Sequence, residues 1–253
     1  MLDERKLVLL EERVQILKRR RKEDASRKTV DEVFDQPTLL ALYRMISDRT
    51  LETVDYPVST GKEGNVFHAT TQRGGAALKI YRVSNATFRS LADYLRGDPR
   101  FKAMGRSFRE MVEVWAQKEY KNLVRMRDAG ARVPEGYAVH KHILLMEYVG
   151  DESMPAPMIR EVALEDPAAA YEDVVASMAA MRKAKLVHGD LSEYNILWWD
   201  GRAWVIDCAQ SVPFDHPRSD EWFRRDVANV ARYFSRLGVD ADAGRLEARL
   251  RGG

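Results

Sequence analysis

The chain has 253 residues, which is enough for one large domain or two lobes with an ample core. Charged residues make up 32% of it, but the formal net charge is only +2, so no field of the whole molecule points to a nucleic-acid partner. The single cysteine, Cys208, excludes an internal disulfide framework. No stretch approaches the roughly 18 apolar residues of a membrane span, and no signal-peptide core follows Met1. We therefore expect a soluble, cytoplasmic protein without a membrane partner.

The first 50 residues are expected to form a helical N-terminal extension. Residues 1 to about 28 carry apolar side chains at spacings of three and four, which predicts one amphipathic helix. This helix ends in the basic run Lys18–Lys22. The run is either a solvated helix end favoured by the helix dipole or a contact with nucleic-acid phosphates, which would release counterions. A second helix is predicted from Pro37 to about Ser47.

The apolar pattern changes from a helical period to that of strands at Val54. Five strands are predicted, at Val54–Val58, Asn65–Ala69 and Ala76–Tyr81 and, as a pair, between Gly136 and Val149. A long helix from Ser107 to about Ala129 is inserted after the third strand. The remaining chain is mainly helical, with helices at Tyr171–Lys185 and Ser219–Leu237.

This order of elements predicts an α+β fold with two lobes, like that of a protein kinase. Residues 51–148 would form an N-lobe with a five-stranded antiparallel sheet and one helix. Residues 149–253 would form a reduced, mainly helical C-lobe. A nucleotide would bind in the cleft between the two lobes, which is a common place for ligand sites.

Three short polar side chains, Asp190, Asn195 and Asp207, interrupt otherwise apolar, strand-like sequence. An Asp-Gly pair separates two apolar runs between Asn195 and Asp207, which is the signature of a tight hairpin. The hairpin should bring Asn195 and Asp207 side by side, with Asp190 at the mouth of the same loop. Oxygen ligands around the metal of a nucleotide, with a separate carboxylate facing the attacking group, are typical of a protein-kinase-like catalytic loop. The alternative is a purely structural hairpin with polar residues at its open end. His188 is expected to be structural.

Lys79 is the residue expected to hold the nucleotide phosphates. It interrupts an apolar strand, where a lysine is costly unless it is paired. In the kinase arrangement this lysine contacts the α- and β-phosphates and pairs with a glutamate of the inserted helix. Glu119 is the expected partner, with Glu110 and Glu113 as alternatives. Snorkelling of Lys79 to the sheet edge is the competing interpretation.

The turn after the first strand has exposed backbone N–H groups that could face a triphosphate. Its glycines would let the backbone approach the phosphates closely. The expected contacts are Ser59, Thr60, Gly61 and Lys62. The turn is neither a Walker A loop nor the GxGxxG sequence of ordinary kinases, so a plain hairpin turn is the alternative.

The segment after the fifth strand is expected to be the hinge between the lobes. There the Glu147 carbonyl and the Val149 amide should contact an adenine ring, with Met146 lining the entrance. An ordinary buried strand end is the alternative.

Taken together, these segments resemble the RIO family of atypical serine protein kinases, in its first, archaeal and eukaryotic branch. The resemblance covers about residues 54–238. The matching motifs are Ser59–Asn65 (STGKEGN), Leu78–Arg82 (LKIYR), Arg96–Phe101 (RGDPRF), Leu145–Tyr148 (LMEY), His188–Asn195 (HGDLSEYN) and Ile206–Val212 (IDCAQSV). No single motif would suffice, but the set is specific.

The resemblance implies an enzyme that uses ATP with Mg²⁺ or Mn²⁺ and autophosphorylates on serine. It also implies a role in late maturation of the small ribosomal subunit, so the pre-ribosomal particle, and its RNA through the basic N-terminal run, are the expected partners. In this family Asp190 would be the catalytic base, and Asn195 and Asp207 would hold the metal. Some members are thought to act chiefly as ATPases through an aspartyl-phosphate, which would form on Asp207. The candidate autophosphorylation sites are Ser84, Ser90 and Ser107.

The sequence departs from the patterns of the RIO family and of ordinary kinases at a few positions. Gly64 stands where the family motif usually has alanine, and Cys208-Ala209 stand where Val-Ser is more usual. Gly189 replaces the arginine of ordinary protein kinases, so activation by a phosphorylated loop is not expected. Only 46 residues follow Asp207, with one clear helix, so the usual activation loop and peptide-docking surface should be missing. A large docked partner, or water, is then the easier phosphate acceptor.

Two other functions stay open. A small-molecule phosphotransferase of the aminoglycoside or choline kinase kind also uses a His-Gly-Asp sequence with a downstream Asn and Asp. Such enzymes need a larger acceptor-binding helical region, which this sequence lacks. The other alternative is a non-catalytic module that binds a ribosome or RNA through its basic N-terminal run.

Overall fold

A computed structural model describes residues 33–61, 63–83, 98, 107–151 and 154–252. Its α-helices are α1 (Gln36–Ser47), α2 (Phe108–Asp128), α3 (Pro167–Lys183), α4 (Ser219–Arg236) and α5 (Ala243–Gly252). Its β-strands are β1 (Thr53–Thr60), β2 (Gly64–Thr71), β3 (Gly74–Tyr81), β4 (Gly136–His140), β5 (Ile143–Glu147), β6 (Leu186–Val187), β7 (Ile196–Trp199), β8 (Arg202–Val205) and β9 (Val212–Pro213). The predicted helix over residues 1–28, Lys62, Ser84 and Ser90 lie outside the described residues.

Strands β1 to β5 form one antiparallel sheet in the order β1-β2-β3-β5-β4, with α2 between β3 and β4 in the chain. This arrangement confirms the predicted five-stranded sheet with one inserted helix. Side chains alternate between the faces of a strand, so Ile143 and Leu145 of β5 pack with α1, whereas Leu144 packs with α2. Lys79 of β3 lies opposite Leu144 in the sheet and therefore points to the α2 face.

Helix α1 packs against the other face of the sheet. Asp35 caps the helix, because its Oδ1 accepts a hydrogen bond from the Thr38 N–H at 2.9 Å. Thr38 Oγ1 also lies 2.8 Å from Nε2 of His142, in the turn between β4 and β5, and both residues are buried. The second predicted helix is therefore confirmed, and it packs against the sheet, which the sequence did not predict. The predicted domain boundary at residue 50 stays a prediction.

The C-lobe is built from α3, α4 and α5 around the short strands β6 to β9. Helix α3 begins at Pro167 rather than at Tyr171, because the Asp166 carboxylate accepts from the Ala169 N–H at 2.9 Å and caps the helix. Proline fits the first turn, where its missing N–H has no partner to lose. In the parts of the chain that the structure describes, no helix combines the length and apolarity that a membrane crossing needs.

The helix predicted after Asp207 is α4, and a further helix that the sequence analysis did not identify, α5, follows it. Leu246 and Leu250 are its buried side chains, and they join the C-lobe core. Two apolar residues one turn apart give only a weak periodic signal, since most of the other residues of this helix are charged or small.

The β7–β8 hairpin is confirmed. Strands β7 and β8 pair from Ile196 with Val205 to Trp199 with Arg202. Asp200 and Gly201 form the turn with φ values of 50° and 67°. Two consecutive positive φ values are the requirement of a type I′ turn, which is why an Asp-Gly pair predicts this hairpin.

Gly64 begins β2 so close to β3 that a side chain there would meet the backbone. An added Cβ would lie 2.7 Å from the Ile80 carbonyl oxygen and 3.1 Å from the Tyr81 Cα atom. This close approach accounts for glycine at a position where alanine is usual in the RIO motif.

We expect Gly64→Ala to lower the free energy of unfolding by about 1–3 kcal/mol, as overpacking of a tight site does. Urea unfolding measures the change. Gly252→Ala is the control, because an added Cβ there meets no atom within 4 Å. Equal stability of Gly64→Ala and the wild type would show that the contact between β2 and β3 is not tight.

Candidate active site

Lys79 is the residue on which the site is centred. Its side chain is 9% exposed, and its Nζ lies 2.8 Å from Glu119 Oε2 and 2.9 Å from Asp207 Oδ1. Burial lowers the pKa of Lys79, but the Asp207 and Glu119 carboxylates outweigh burial and hold this pKa well above its ordinary value. A charged ammonium therefore joins β3, α2 and the segment that follows β8.

Glu119 is the one of the three candidate glutamates that contacts Lys79 in the described structure. It lies in the middle of α2 and is 1% exposed. Glu110 instead completes a capping box, in which its carboxylate accepts from the Ser107 N–H at 3.2 Å. Glu113 pairs with Lys141 at 3.4 Å on the outside of the helix.

Asp207 follows β8 with a left-handed backbone conformation, at φ 59° and ψ 55°. Residues other than glycine rarely adopt this conformation, and such strain is typical of functional sites. Burial raises the pKa of Asp207, but the Lys79 ammonium outweighs burial and holds this pKa below its usual value. The carboxylate is 34% exposed, so it is both charged and accessible from the cleft.

The hairpin places Asn195 and Asp207 at the same end. The Ile206 N–H donates to the Asn195 carbonyl oxygen at 3.0 Å, next to Asp207 in the chain. The Asn195 Nδ2 donates to the Asp190 carbonyl oxygen at 2.8 Å. The side-chain oxygen Oδ1 of Asn195, on the other side of the amide group, therefore points away from that carbonyl. Burial raises the pKa of the Asp190 carboxyl, although the Arg225 guanidinium partly opposes this shift.

His188 fixes the start of the loop that carries Asp190, as a structural residue would. Its Nε2 lies 3.1 Å from the Ile206 carbonyl oxygen, and its Nδ1 lies 3.3 Å from the Asp190 backbone nitrogen. A carbonyl only accepts and an N–H only donates, so both bonds require the neutral imidazole with its proton on Nε2. Burial agrees with this state, because it lowers the pKa of His188 to about 4.

Two residues of α4 that the sequence analysis did not identify hold the same loop. The Asp226 carboxylate accepts from the Gly189 N–H at 2.8 Å and from the Leu191 N–H at 2.9 Å. Arg225 donates to the Gly189 carbonyl oxygen. Burial raises the pKa of Asp226 to about 7, although the two N–H groups oppose the shift. No local signal marks these residues, because acidic and basic side chains in an amphipathic helix are expected on its outer face.

The turn expected to bind phosphates lies between β1 and β2, and its contact with a nucleotide stays a prediction. Ser59 and Thr60 are exposed at the end of β1, and Gly61 follows them. The Gly61 N–H donates to the Gly64 carbonyl oxygen at 2.9 Å, so this N–H closes the turn itself instead of facing the cleft. Nearby, burial and the Asp207 carboxylate raise the pKa of Glu63, which the sequence analysis had not identified as a site residue.

The expected hinge residues lie where β5 ends and the C-lobe begins. Met146 is half-buried, and Glu147 is the last residue of the strand, with its carboxylate 2.8 Å from Arg127 Nη1. Val149 is buried, and its carbonyl oxygen accepts from the Ala156 N–H at 2.9 Å. Contact of these residues with adenine stays a prediction.

The oxygen groups of this site fit a hard divalent cation that is shared with phosphates. Asp207 and Asn195 supply a carboxylate and an amide oxygen, which are ligands that Mg²⁺ prefers. Glu63 and Asp190 lie close to the same position, since burial and then the nearby Asp207 carboxylate raise the pKa of both. The described residues hold no group of three or more His, Cys, Asp or Glu side chains that could bind a metal alone.

The buried neutral imidazole of His188 predicts a pH dependence of stability. Its pKa of about 4 in the folded protein lies below its ordinary value of 6.5. The stabilising contribution is therefore complete above pH 6.5 and lost as the pH falls from 6.5 towards 4. The difference in unfolding free energy between the wild type and His188→Gln should shrink over this window, by up to about 3 kcal/mol. Urea unfolding between these pH values measures it, and a constant difference would contradict the buried neutral state.

Comparison with known proteins identifies the family. The family model described as RIO domain matches residues 65–246. The RIO-type serine/threonine-protein kinase Rio1 of Haloferax volcanii is 44% identical over 233 residues, which cover 90% of this chain and 79% of that protein. The human serine/threonine-protein kinase RIO1 is 39% identical over 225 residues, which cover 86% of this chain but only 39% of that protein.

A solved structure supports the fold as well. The Rio2 kinase of Chaetomium thermophilum, in an ADP/Mg²⁺-phosphoaspartate complex, aligns with a TM-score of 0.61 and 26% identity. The alignment covers 78% of this chain and 60% of that one. The matched segment of the family model contains Lys79, Glu119, Asp190, Asn195 and Asp207. The chain therefore belongs to the RIO family, whose matched relatives are named serine/threonine-protein kinases.

Proposed function

We propose that the protein binds ATP with Mg²⁺ or Mn²⁺ and transfers or hydrolyses its γ-phosphate. The observation that carries this proposal is the Lys79 ammonium between the Glu119 and Asp207 carboxylates, at 2.8 and 2.9 Å. In kinases the lysine–glutamate pair and the metal-binding aspartate must both be in place before phosphoryl transfer. The names of the relatives support the same class of reaction.

The nucleotide would be bound by groups from both lobes. Lys79 would contact the α- and β-phosphates, and backbone groups of the turn at Ser59, Thr60, Gly61 and Lys62 would lie along the phosphate chain. The Glu147 carbonyl and the Val149 amide would contact the adenine, with Met146 at the entrance.

Asp207 and Asn195 would hold the divalent cation, which neutralises phosphate charge when it is bound. Asp190 would accept the proton of the attacking hydroxyl or water. Burial raises the pKa of the Asp190 carboxyl, which makes it a stronger base than an exposed aspartate. Its loop is held by Asp226, so the base has a fixed position relative to Asn195.

Two acceptors are proposed for the phosphoryl group. The first is a serine after β3, with Ser84, Ser90 and Ser107 as candidates. Ser107 is exposed at the start of α2, where its Oγ accepts from the Glu110 N–H at 3.2 Å. The second is the Asp207 carboxylate, which would form an acyl-phosphate that water then hydrolyses. The phosphoaspartate named in the Rio2 complex supports this second route.

We also propose that the protein acts in the cytoplasm, in late maturation of the small ribosomal subunit. The resemblance to the RIO family supports this role. The basic run Lys18–Lys22 would bind RNA phosphates, because each neutralised phosphate releases counterions.

Asp190→Asn tests the catalytic base. We expect turnover to fall by about 10²–10⁴-fold, because the amide cannot accept the proton, while nucleotide affinity stays close to that of the wild type. Asp200→Asn is the matched control, since the same substitution falls in the exposed β7–β8 turn, where asparagine tolerates positive φ. Equal turnover of Asp190→Asn and the wild type would exclude this residue as the base.

The measurement is incubation with γ-labelled ATP and Mg²⁺, with label counted on the protein and as free phosphate. A label that resists hydroxylamine identifies phosphoserine, whereas a labile label identifies an acyl-phosphate. Transfer to a small alcohol with no label on the protein would instead support a small-molecule phosphotransferase.

Substitution of the basic run tests whether this segment binds RNA. We expect replacement of Lys18–Lys22 by glutamines to weaken binding to small-subunit precursor RNA. The salt dependence of binding should also become shallower, by about 0.9 in slope for each phosphate that the run neutralises in the wild type. ATP turnover without RNA should be unchanged, which is the control for folding. A salt slope identical to that of the wild type would show that this segment does not bind the RNA.

A further inference from the structure

Side chains in one turn of α2 donate hydrogen bonds to the short 3₁₀ segment that follows β8. Lys118 Nζ donates to the carbonyl oxygens of Ala209 and Ser211, each at 2.7 Å. Asn122 Nδ2 donates to the carbonyl oxygens of Cys208 and Ser211, at 2.8 and 3.0 Å. Both donor side chains are fully buried.

These hydrogen bonds satisfy groups that the segment cannot satisfy itself. The Cys208 carbonyl oxygen also accepts from the Ser211 N–H, but the carbonyls at the end of so short a helical turn have no partner within it. A buried ammonium is costly unless it is hydrogen-bonded. The carbonyl oxygens therefore fix the position of Lys118, just as Lys118 fixes theirs. The ring of Trp115, 4.9 Å from Lys118 Nζ, also contacts this ammonium.

The same turn of α2 joins two parts of the candidate active site. Glu119, next to Lys118 in the chain, contacts Lys79. The 3₁₀ segment begins directly after Asp207, whose left-handed backbone is disfavoured for a residue with a Cβ. A shift of α2 away from β3 would therefore disturb the Lys79 pair and the segment that fixes Asp207 together.

We propose that Lys118 and Asn122 are positioning residues, which hold the Asp207 backbone in place and couple it to the Lys79–Glu119 pair. They act through the carbonyls of the 3₁₀ segment and do not touch the nucleotide. The inference deepens the proposed function and rests on it for the metal-binding role of Asp207.

Mn²⁺ binding in the presence of ADP tests the proposal. Lys118→Met removes the ammonium at similar length, and Asn122→Leu removes the amide at similar volume. Both variants should bind Mn²⁺ about 10–100-fold more weakly, as other substitutions of groups that orient a metal ligand do. Electron paramagnetic resonance of free Mn²⁺ measures the affinity. ADP affinity in EDTA should stay near the wild-type value, whereas a general loss of structure would lower both affinities.

Lys121→Met is the matched control, because it is the same substitution on the exposed side of the same helix. If both variants bind Mn²⁺ like this control, the positioning role is wrong while the proposed function stands. If the wild type binds no Mn²⁺ with ADP, the proposed function itself fails.

Hydrogen exchange of the wild type tests the coupling between α2 and the 3₁₀ segment even if the variants do not fold. The Ser211 N–H, which donates to the Cys208 carbonyl oxygen at 3.2 Å, should open with the same free energy as the Asn122 N–H. Similar protection would support the coupling. Exchange of Ser211 several orders of magnitude faster than that of Asn122 would overturn it.

Discussion

The Lys79 ammonium lies between the carboxyl groups of Glu119 and Asp207, so three ionisable groups share one largely buried position. The carboxylates come from positions 40 and 128 residues further along the chain. Each of these charges would be costly to bury alone, so the groups must be buried together. The sheet, α2 and the β7–β8 hairpin therefore have one mutual arrangement, which is also the arrangement that phosphoryl transfer requires.

Two aspartates at the proposed catalytic loop lie in different surroundings, which suit them to different roles. Asp226 accepts hydrogen bonds from two backbone N–H groups, so its carboxylate holds the loop in place. Asp190 is half-buried, and its Oδ2 lies 3.4 Å from Asn195 Nδ2, a longer contact than either bond to Asp226. The neutral His188 contacts the backbone on both sides of the loop. The fixed backbone leaves the Asp190 carboxyl available for proton transfer, which is the role that we propose for it.

Local signals in the sequence predicted those parts of the structure whose conformation is determined by neighbouring residues. An Asp-Gly pair predicted the β7–β8 hairpin because its turn needs two positive φ values. Lys79 in an apolar strand predicted a buried acidic partner, with Glu119 as the expected residue and Glu110 and Glu113 as alternatives. Asp226, Lys118 and Asn122 were missed because polar residues in helices are usually exposed, and their backbone partners lie far away in the chain. Only the tertiary structure shows the N–H and carbonyl groups that they bind.

A crystal grown with ADP and Mn²⁺ tests the central claim most directly, because anomalous scattering locates the ion without reference to the protein. We predict a manganese peak in contact with the Asp207 carboxylate and the Asn195 amide oxygen, with Lys79 Nζ between Glu119 and a phosphate oxygen. A peak elsewhere, with the nucleotide out of reach of Lys79, would contradict the account.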